Sequence, residues 1–171
     1  MKAISAGRLQ LEPLARHHAE VMYPLLSDPR IYEFLDYGPP PSPEHLVNVY
    51  RQLEERHSPD GSEQWLNWVV LAHGGIAVGY VQATVISGHR AWVAFVLGPD
   101  YWGRGYGRAS TGAMLEHLAR EHGVTQFLAC AERGNIRSLA LLRSLSFELA
   151  SPEQAAQHAL TNTEILLVRR E

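Results

Sequence analysis

The stretch YWGRGYGRAS, residues 101 to 110, sets glycines at alternate positions, Gly103, Gly105 and Gly107, between an extended apolar run and a helical pattern. Three glycines within five residues make poor strand and poor helix, because glycine loses more conformational freedom on ordering than any other residue. Two readings stand: a flexible turn, or a nest of main-chain N–H groups held at a helix N-terminus to meet an anion. The surrounding chain has to decide between them.

Upstream of the loop, ISAGRLQLEPL (4 to 14) reads as a first strand, with Leu9 and Leu11 alternating around Gln10. ARHHAEVMYPLLSDPRIYEFL reads as helix in two pieces broken near Asp28-Pro29, where proline cannot continue the hydrogen bonding. After the rigid DYGPPPSP loop, a helix starts at Ser42 as N-cap, with Pro43 at the first helical position, Glu44 in the first turn, and Leu46, Tyr50 and Leu53 facing inward. From Trp65 the period becomes that of strands: two joined at His73-Gly74-Gly75, then RAWVAFVL (90 to 97), which runs straight into the glycine loop.

Downstream, a helix from Tyr106 to His122 carries Met114, Leu115 and Leu118 as its apolar stripe and stops at Gly123. Strand TQFLACA (125 to 131), helix NIRSLALLRSL (135 to 145) and strand TEILLVRR (163 to 170) complete the chain, with a further short strand near Phe147. The order β-α-α-β-β-β-α-β-α-β demands parallel pairing only at the crossover between residues 90 and 131. The expected class is α+β, a mostly antiparallel mixed central sheet flanked by helices, in one domain spanning residues 1 to 171.

Composition narrows the ligands. A net charge of -3 argues against broad binding of nucleic acid or an anionic membrane, so an anion must be met by a local device. No stretch approaches the roughly 20 apolar residues of a membrane span, and no leader is evident. The single cysteine, Cys130, excludes an internal disulfide and reads as a small core residue; a reducing cytoplasm fits. The nine histidines are scattered, and His117 with Glu121 lacks a third ligand and reads as exposed helix surface, so no metal is expected. Edge strands are compatible with a homodimer.

The dinucleotide fingerprint G-x-G-x-x-G is the obvious competitor, with Glu132 about where a ribose-binding acid would stand. It fails at its third glycine, because position 108 is Arg, and the loop comes too late for a parallel doubly wound sheet. A Walker loop lacks its G-K-[ST].

LGPDYWGRGYGRAS, followed after one strand by NIRSLALLRSLSF, resembles motifs A and B of the GCN5-related N-acetyltransferases (GNAT), and the opening elements are similar to the branch that acetylates ribosomal-protein N-termini. The resemblance extends over nearly the whole chain and implies the GNAT fold, with a strand, glycine-rich loop and helix forming an acyl-CoA site, and acetyl-CoA as co-substrate. The family pattern Q/R-x-x-G-x-G/A falls on Trp102, Gly103, Arg104, Gly105, Tyr106 and Gly107, so their amides, with Arg108 close behind, would hold the pyrophosphate. Trp102 replaces the usual Gln or Arg. Phe95, Val96 and Leu97 fall where strand backbone pairs with the pantetheine arm. The Gly that precedes the Phe ending motif B is Ser146 here, a strained choice if φ is positive.

The implied reaction is direct attack of a primary amine, on a protein N-terminus or a small molecule, upon the thioester carbonyl. The amine must first lose a proton, and the departing thiolate needs stabilisation. Many relatives use a Tyr seven residues after the motif-B Asn; that position is Leu142. Asn135 matches the motif Asn as a pantetheine anchor and as a helix N-cap, and Ser138 shares its face as the candidate donor to the thiolate. For the general base, Glu33 comes first and Glu132 second, with a water chain as the alternative. Tyr32, Phe34 and Tyr37 line the acceptor groove or fill core. Two other functions stay open: a CoA-binding module without turnover, suggested by Leu142 and an acid-free strand, and a dinucleotide-dependent oxidoreductase.

Overall fold

A computed structural model describes residues 1–171. One eight-stranded sheet runs through the molecule in the order β1-β2-β3-β4-β5-β6-β8-β7. Its strands are β1 Ile4–Ala6, β2 Leu9–Pro13, β3 Gln64–Ala72, β4 Ile76–Ile86, β5 Arg90–Leu97, β6 Gln126–Glu132, β7 Glu148–Leu149 and β8 Glu164–Arg170. All neighbours pair antiparallel except β5 and β6, which are parallel because α3 (Tyr106–His122) crosses between them. α1 (Ala19–Leu26), α2 (Pro43–Leu53), α4 (Ile136–Ser144) and α5 (Pro152–Ala155) complete the architecture. No helix is long and apolar enough to cross a membrane.

Alternation along the strands divides the core between two faces. Trp68, Val70, Val81, Ala83, Val93, Phe127 and Ala129 point to one side, where they meet Met114, Leu115 and Leu118 of α3 and Leu139 and Leu142 of α4. Val69 points to the other, under Leu26 of α1 and Leu46 and Tyr50 of α2. A small third cluster of Leu128, Leu166 and Val168 occupies the far end of that second face.

Local signals explain most boundaries. Ser42 caps α2 by accepting from the His45 N–H at 3.2 Å, with Pro43 following, and α3 ends on Gly123 in the left-handed region. Leu53, expected inward with Leu46 and Tyr50, is only half-buried. Residues 4 to 14 form a two-strand hairpin turned at Gly7 rather than one strand. The second helical piece after Asp28-Pro29 is only a 3-10 turn over Pro29–Tyr32, because the Asp28 carboxylate caps it at the Arg30 N–H and the following Gly-Pro-Pro stretch cannot extend it. His117 is buried with its ring edge-on to Trp68 at 5.7 Å, which corrects its assignment to exposed surface.

Candidate active site

The glycine loop leaves its amides unspent. β5 ends at Leu97, a 3-10 turn follows over Pro99–Tyr101, and the next main-chain bond from the loop is the Ala109 N–H donating to Gly105 O at 3.0 Å. Between them, the N–H groups of Gly103, Arg104, Gly105, Tyr106, Gly107 and Arg108 have no acceptor within the protein. Gly103 at φ 72° and Gly105 at φ 77° turn the chain through the left-handed region just before α3, whose first turn has no capping side chain. Six successive free donors at the positive end of a 17-residue helix form an anion cradle. Gly107 has a different reason: a Cβ there would lie 2.5 Å from Leu141 Cδ1, so the bare backbone lets α4 pack against the start of α3. Arg104 and Arg108 are exposed, with Arg104 poised 5.8 Å from the centre of the Tyr101 ring.

Beside the cradle the sheet opens. β5 and β6 pair only through Arg90–Trp92 with Gln126–Leu128, so Val93 to Leu97 and Ala129 to Glu132 diverge with no strand between them. Phe95 packs its ring against the α3 side of the core and Val96 against the α1–α2 side, leaving this main chain along one wall of the opening. The Leu97 carbonyl is already engaged, accepting from Trp102 Nε1 at 2.8 Å. On the α1–α2 face the opening is uncovered: Ala94 and Cys130 are both exposed, between the cluster under α2 and that around Leu128. Cys130 is therefore not core. Partial desolvation and the nearby Glu164 carboxylate push its thiol up to about 12, which keeps it protonated.

The N-terminus of α4 adjoins both features. Asn135 caps it by accepting from the Ser138 N–H at 3.1 Å, so the Asn135 carbonyl oxygen is committed while its NH₂ and the Ser138 hydroxyl are not. Arg137 lies with its guanidinium carbon 4.1 Å from the Trp102 ring centre and 3.5 Å, nitrogen to oxygen, from the Glu33 carboxylate. Glu33 thus reaches the site, exposed and tied to Arg137. Glu132 sits at the far end of β6, accepting from the Thr163 hydroxyl at 3.0 Å. Phe34 packs near Gly134 at the foot of α4.

Two features escaped the sequence reading. Arg137 had no distinguishing spacing, although a Trp in a Gln/Arg position invites a cation from elsewhere. Tyr80 lies directly across from Val96 on the α1–α2 face, beside Tyr37, Tyr50 and Tyr32. Burial above all, then these neighbouring phenols, hold the Tyr80 hydroxyl well above its ordinary pKa. A bulge in β4, where Val70 pairs with Gly79 and Leu71 with Ala77, leaves Val78 and Val81 on the α3 face and turns Tyr80 to the other, and nothing local encodes that three other tyrosines converge on it. Tyr32 is pinned through its hydroxyl to Leu26 O at 2.7 Å and stands edge-on to the exposed Tyr37 at 5.7 Å.

A helix-end anion cradle thus opens onto a gap between parallel strands. The chain belongs to the GNAT acetyltransferase family: the family described as "Acetyltransferase (GNAT) domain" matches residues 8–148. Solved structures covering 99% of this chain share its fold. They include an acetyltransferase of Salmonella typhimurium that modifies the N-terminal serine of ribosomal protein L7/L12 (17% identity, TM-score 0.82, 99% of that chain) and the RimL L7/L12 alpha-N-protein acetyltransferase in complex with coenzyme A (18%, 0.82, 98%). A GNAT acetyltransferase from Bacillus anthracis aligns at 17% identity and a TM-score of 0.79 over 98% of its chain. Among curated proteins, the FsC-acetyl coenzyme A-N(2)-transacetylase of Aspergillus fumigatus is 23% identical over 147 residues, 81% of this chain, which spans 62% of that relative's length.

Proposed function

We propose that this protein transfers the acetyl group of acetyl-CoA directly to a primary amine, and that the acceptor is a protein N-terminus in preference to a small-molecule amine. The observation that carries the reading is the run of six unpaired amides, Gly103 to Arg108, beside the diverging β5 and β6. The cradle suits a diphosphate, with Arg104 and Arg108 adding charge. The free main chain of Phe95 and Val96 suits the amide-bearing pantetheine arm, with Asn135 donating through its NH₂. Leu97 contributes mainly its N-terminal neighbours' alignment, since its carbonyl is held by Trp102.

In the reaction the amine nitrogen bonds to the thioester carbonyl carbon, the carbon–sulfur bond breaks and the electron pair leaves on sulfur. The Ser138 hydroxyl donates a hydrogen bond to that thiolate, which takes up the second proton that the nitrogen sheds as the amide forms. Glu33 takes the proton of the incoming ammonium, with Glu132 the second candidate; an exposed carboxylate held by Arg137 also attracts a cationic amine to the mouth. Uncovered Ala94 and Cys130 give the acceptor access from the face opposite α3. A cytoplasmic setting and a homodimer through the edge strands β1 and β7 complete the reading.

Calorimetry with coenzyme A and thiol release from acetyl-CoA against a panel of peptide and small-molecule amines test it. Micromolar binding with amine-dependent thiol release is expected. Binding with no turnover on any amine would make the chain a CoA-binding module, and no binding at millimolar coenzyme A removes the reading altogether.

A further inference from the structure

A cavity of about 260 Å³ lies between α2 and the sheet, lined by Val49, Gln52, Leu53, Trp65, Asn67, Gln82, Ala83 and Thr84, with no charged residue among them. Its volume is far above the roughly 10–15 Å³ that accommodates one water. Asn67, on this lining, is 4% exposed. Gln52, Gln82 and Thr84 add further uncharged polar side chains to the lining. Trp65 spends its Nε1 outside the cavity, donating to the Glu63 carboxylate at 2.8 Å.

Strand register ties this cavity to the acceptor side of the opening. Asn67 pairs with Gln82 and Gln82 with Ala94, so the three stand in one row across β3, β4 and β5 on the α2 face. Ala94 is the exposed residue at the opening. With neighbouring strands about 4.8 Å apart, Asn67 lies roughly 10 Å from Ala94, about the length of three residues of extended chain.

We infer that this cavity is a specificity subsite for an uncharged hydrogen-bonding side chain, a hydroxyl or carboxamide, carried by the third residue of a peptide whose terminal amine is acetylated at the β5–β6 opening. The inference rests on the peptide N-terminus reading given above. The carboxamides of Asn67 and Gln82 each offer a donor and an acceptor, which matches a group that both gives and takes hydrogen bonds. A carboxylate or ammonium finds no counter-charge there and is disfavoured by the cost of desolvation. The row lies across the strands, so the peptide crosses β4 and β3 rather than adding to the sheet edge.

The test uses the full chain with saturating acetyl-CoA and short alanine-glycine peptides bearing a free N-terminus. One variable residue, serine, asparagine, glutamine, leucine, aspartate or lysine, is placed second, third or fourth. Thiol release should favour serine, asparagine or glutamine over aspartate and lysine by about tenfold or more in kcat/KM, with the largest ratio at the third position. Gln82→Leu, at a half-buried position, and Asn67→Leu should each collapse that ratio to within about twofold and raise the rate on the leucine peptide. Asn67→Ser, with a melting curve for each variant, separates loss of the subsite from loss of folding.

A ratio that survives both substitutions, or no preference at any position, overturns the subsite while leaving acetyl transfer standing. Thiol release with small amines but with none of the peptides overturns the subsite and its peptide acceptor together. No thiol release with any amine removes the acetyltransferase reading itself, and the subsite with it.

Discussion

The Trp102 indole is held from two directions: its Nε1 donates to the Leu97 carbonyl at 2.8 Å, and the Arg137 guanidinium covers its ring at 4.1 Å. One side chain thus joins the end of β5, the loop before α3 and the first turn of α4, the three elements that border the proposed carrier site. Arg137 extends the link to Glu33 on the segment after α1. Trp102 therefore has a mechanical use: it ties the flanks of the loop together while leaving the amides of Gly103 to Arg108 free.

Trp102→Phe removes the hydrogen bond and keeps the ring, and Arg137→Ala removes the stacked cation. A cation on an indole contributes about 0.5–2 kcal/mol depending on exposure, so each variant should raise KM for acetyl-CoA by roughly 2- to 30-fold with a smaller effect on kcat. Their coupling in a double-mutant cycle separates this from two independent defects. Strictly additive effects, measured by calorimetry with coenzyme A, would show that the two side chains act apart.

The loop glycines should divide into two kinds. Gly107→Ala forces a methyl into Leu141 at 2.5 Å and should destabilise by about 1–3 kcal/mol, and shortening Leu141 to Ala in the same chain should recover much of the loss. Gly105→Ala meets nothing within 4 Å, but a Cβ at φ 77° costs about 1–2 kcal/mol and re-aims the amides, so it should weaken coenzyme A binding with no rescue from Leu141→Ala. Thermal melts and calorimetry on the four proteins check both patterns.

Ser146 holds φ 64° where the chain leaves α4, with its N–H donating to Arg143 O and the Phe147 N–H reaching back to Leu142 O. That backbone is the helix-terminating left-handed form that glycine adopts without strain. Ser146→Gly should stabilise by roughly 0.5–1 kcal/mol, a rise in Tm of about 1–4 °C for a chain of this size. Kinetic constants should not change, and a lower Tm would mean that the serine side chain compensates the strain.

Elements with a strong period are legible in the sequence: β5, α3, its Gly123 stop and the Ser42-Pro43 start lie where the residue pattern puts them. The hairpin at Gly7 shows in the sequence only as a shift of parity, from Ile4 and Ala6 to Leu9 and Leu11, and a single glycine among alternating residues reads as strand. The cradle was legible because it is main chain, and glycine spacing reports main chain directly. Cys130 and His117 were misplaced for the opposite reason: burial depends on what covers a face. No helix covers β6 at Cys130, while Trp68, 49 residues before His117, covers the histidine. The links from Arg137 to Trp102 and from Asn67 through Gln82 to Ala94 are long-range, and nothing local encodes them.

Stability should fall toward acid because three partly buried rings resist protonation. His18 and His117 are held below the ordinary value of 6.5 chiefly by desolvation, then by the neighbouring rings of His17 and His122 respectively; His122 is lowered chiefly by desolvation as well. Glu12, 3.5 Å from His18 Nε2, offsets part of the first shift without reversing it. A lowered folded-state value means that the unfolded chain binds more protons once pH falls below about 6.5, so folding free energy declines from there down through the depressed values and is unaffected above. Melts between about pH 5 and 8 should therefore show a plateau at the alkaline end and a falling Tm below roughly pH 6.5. His117→Gln removes one titrating ring beside Trp68 and should flatten the slope between about pH 5 and 6.5 even if it lowers Tm overall. A Tm that climbs toward acid would show that these imidazoles gain, rather than lose, proton affinity when the chain folds.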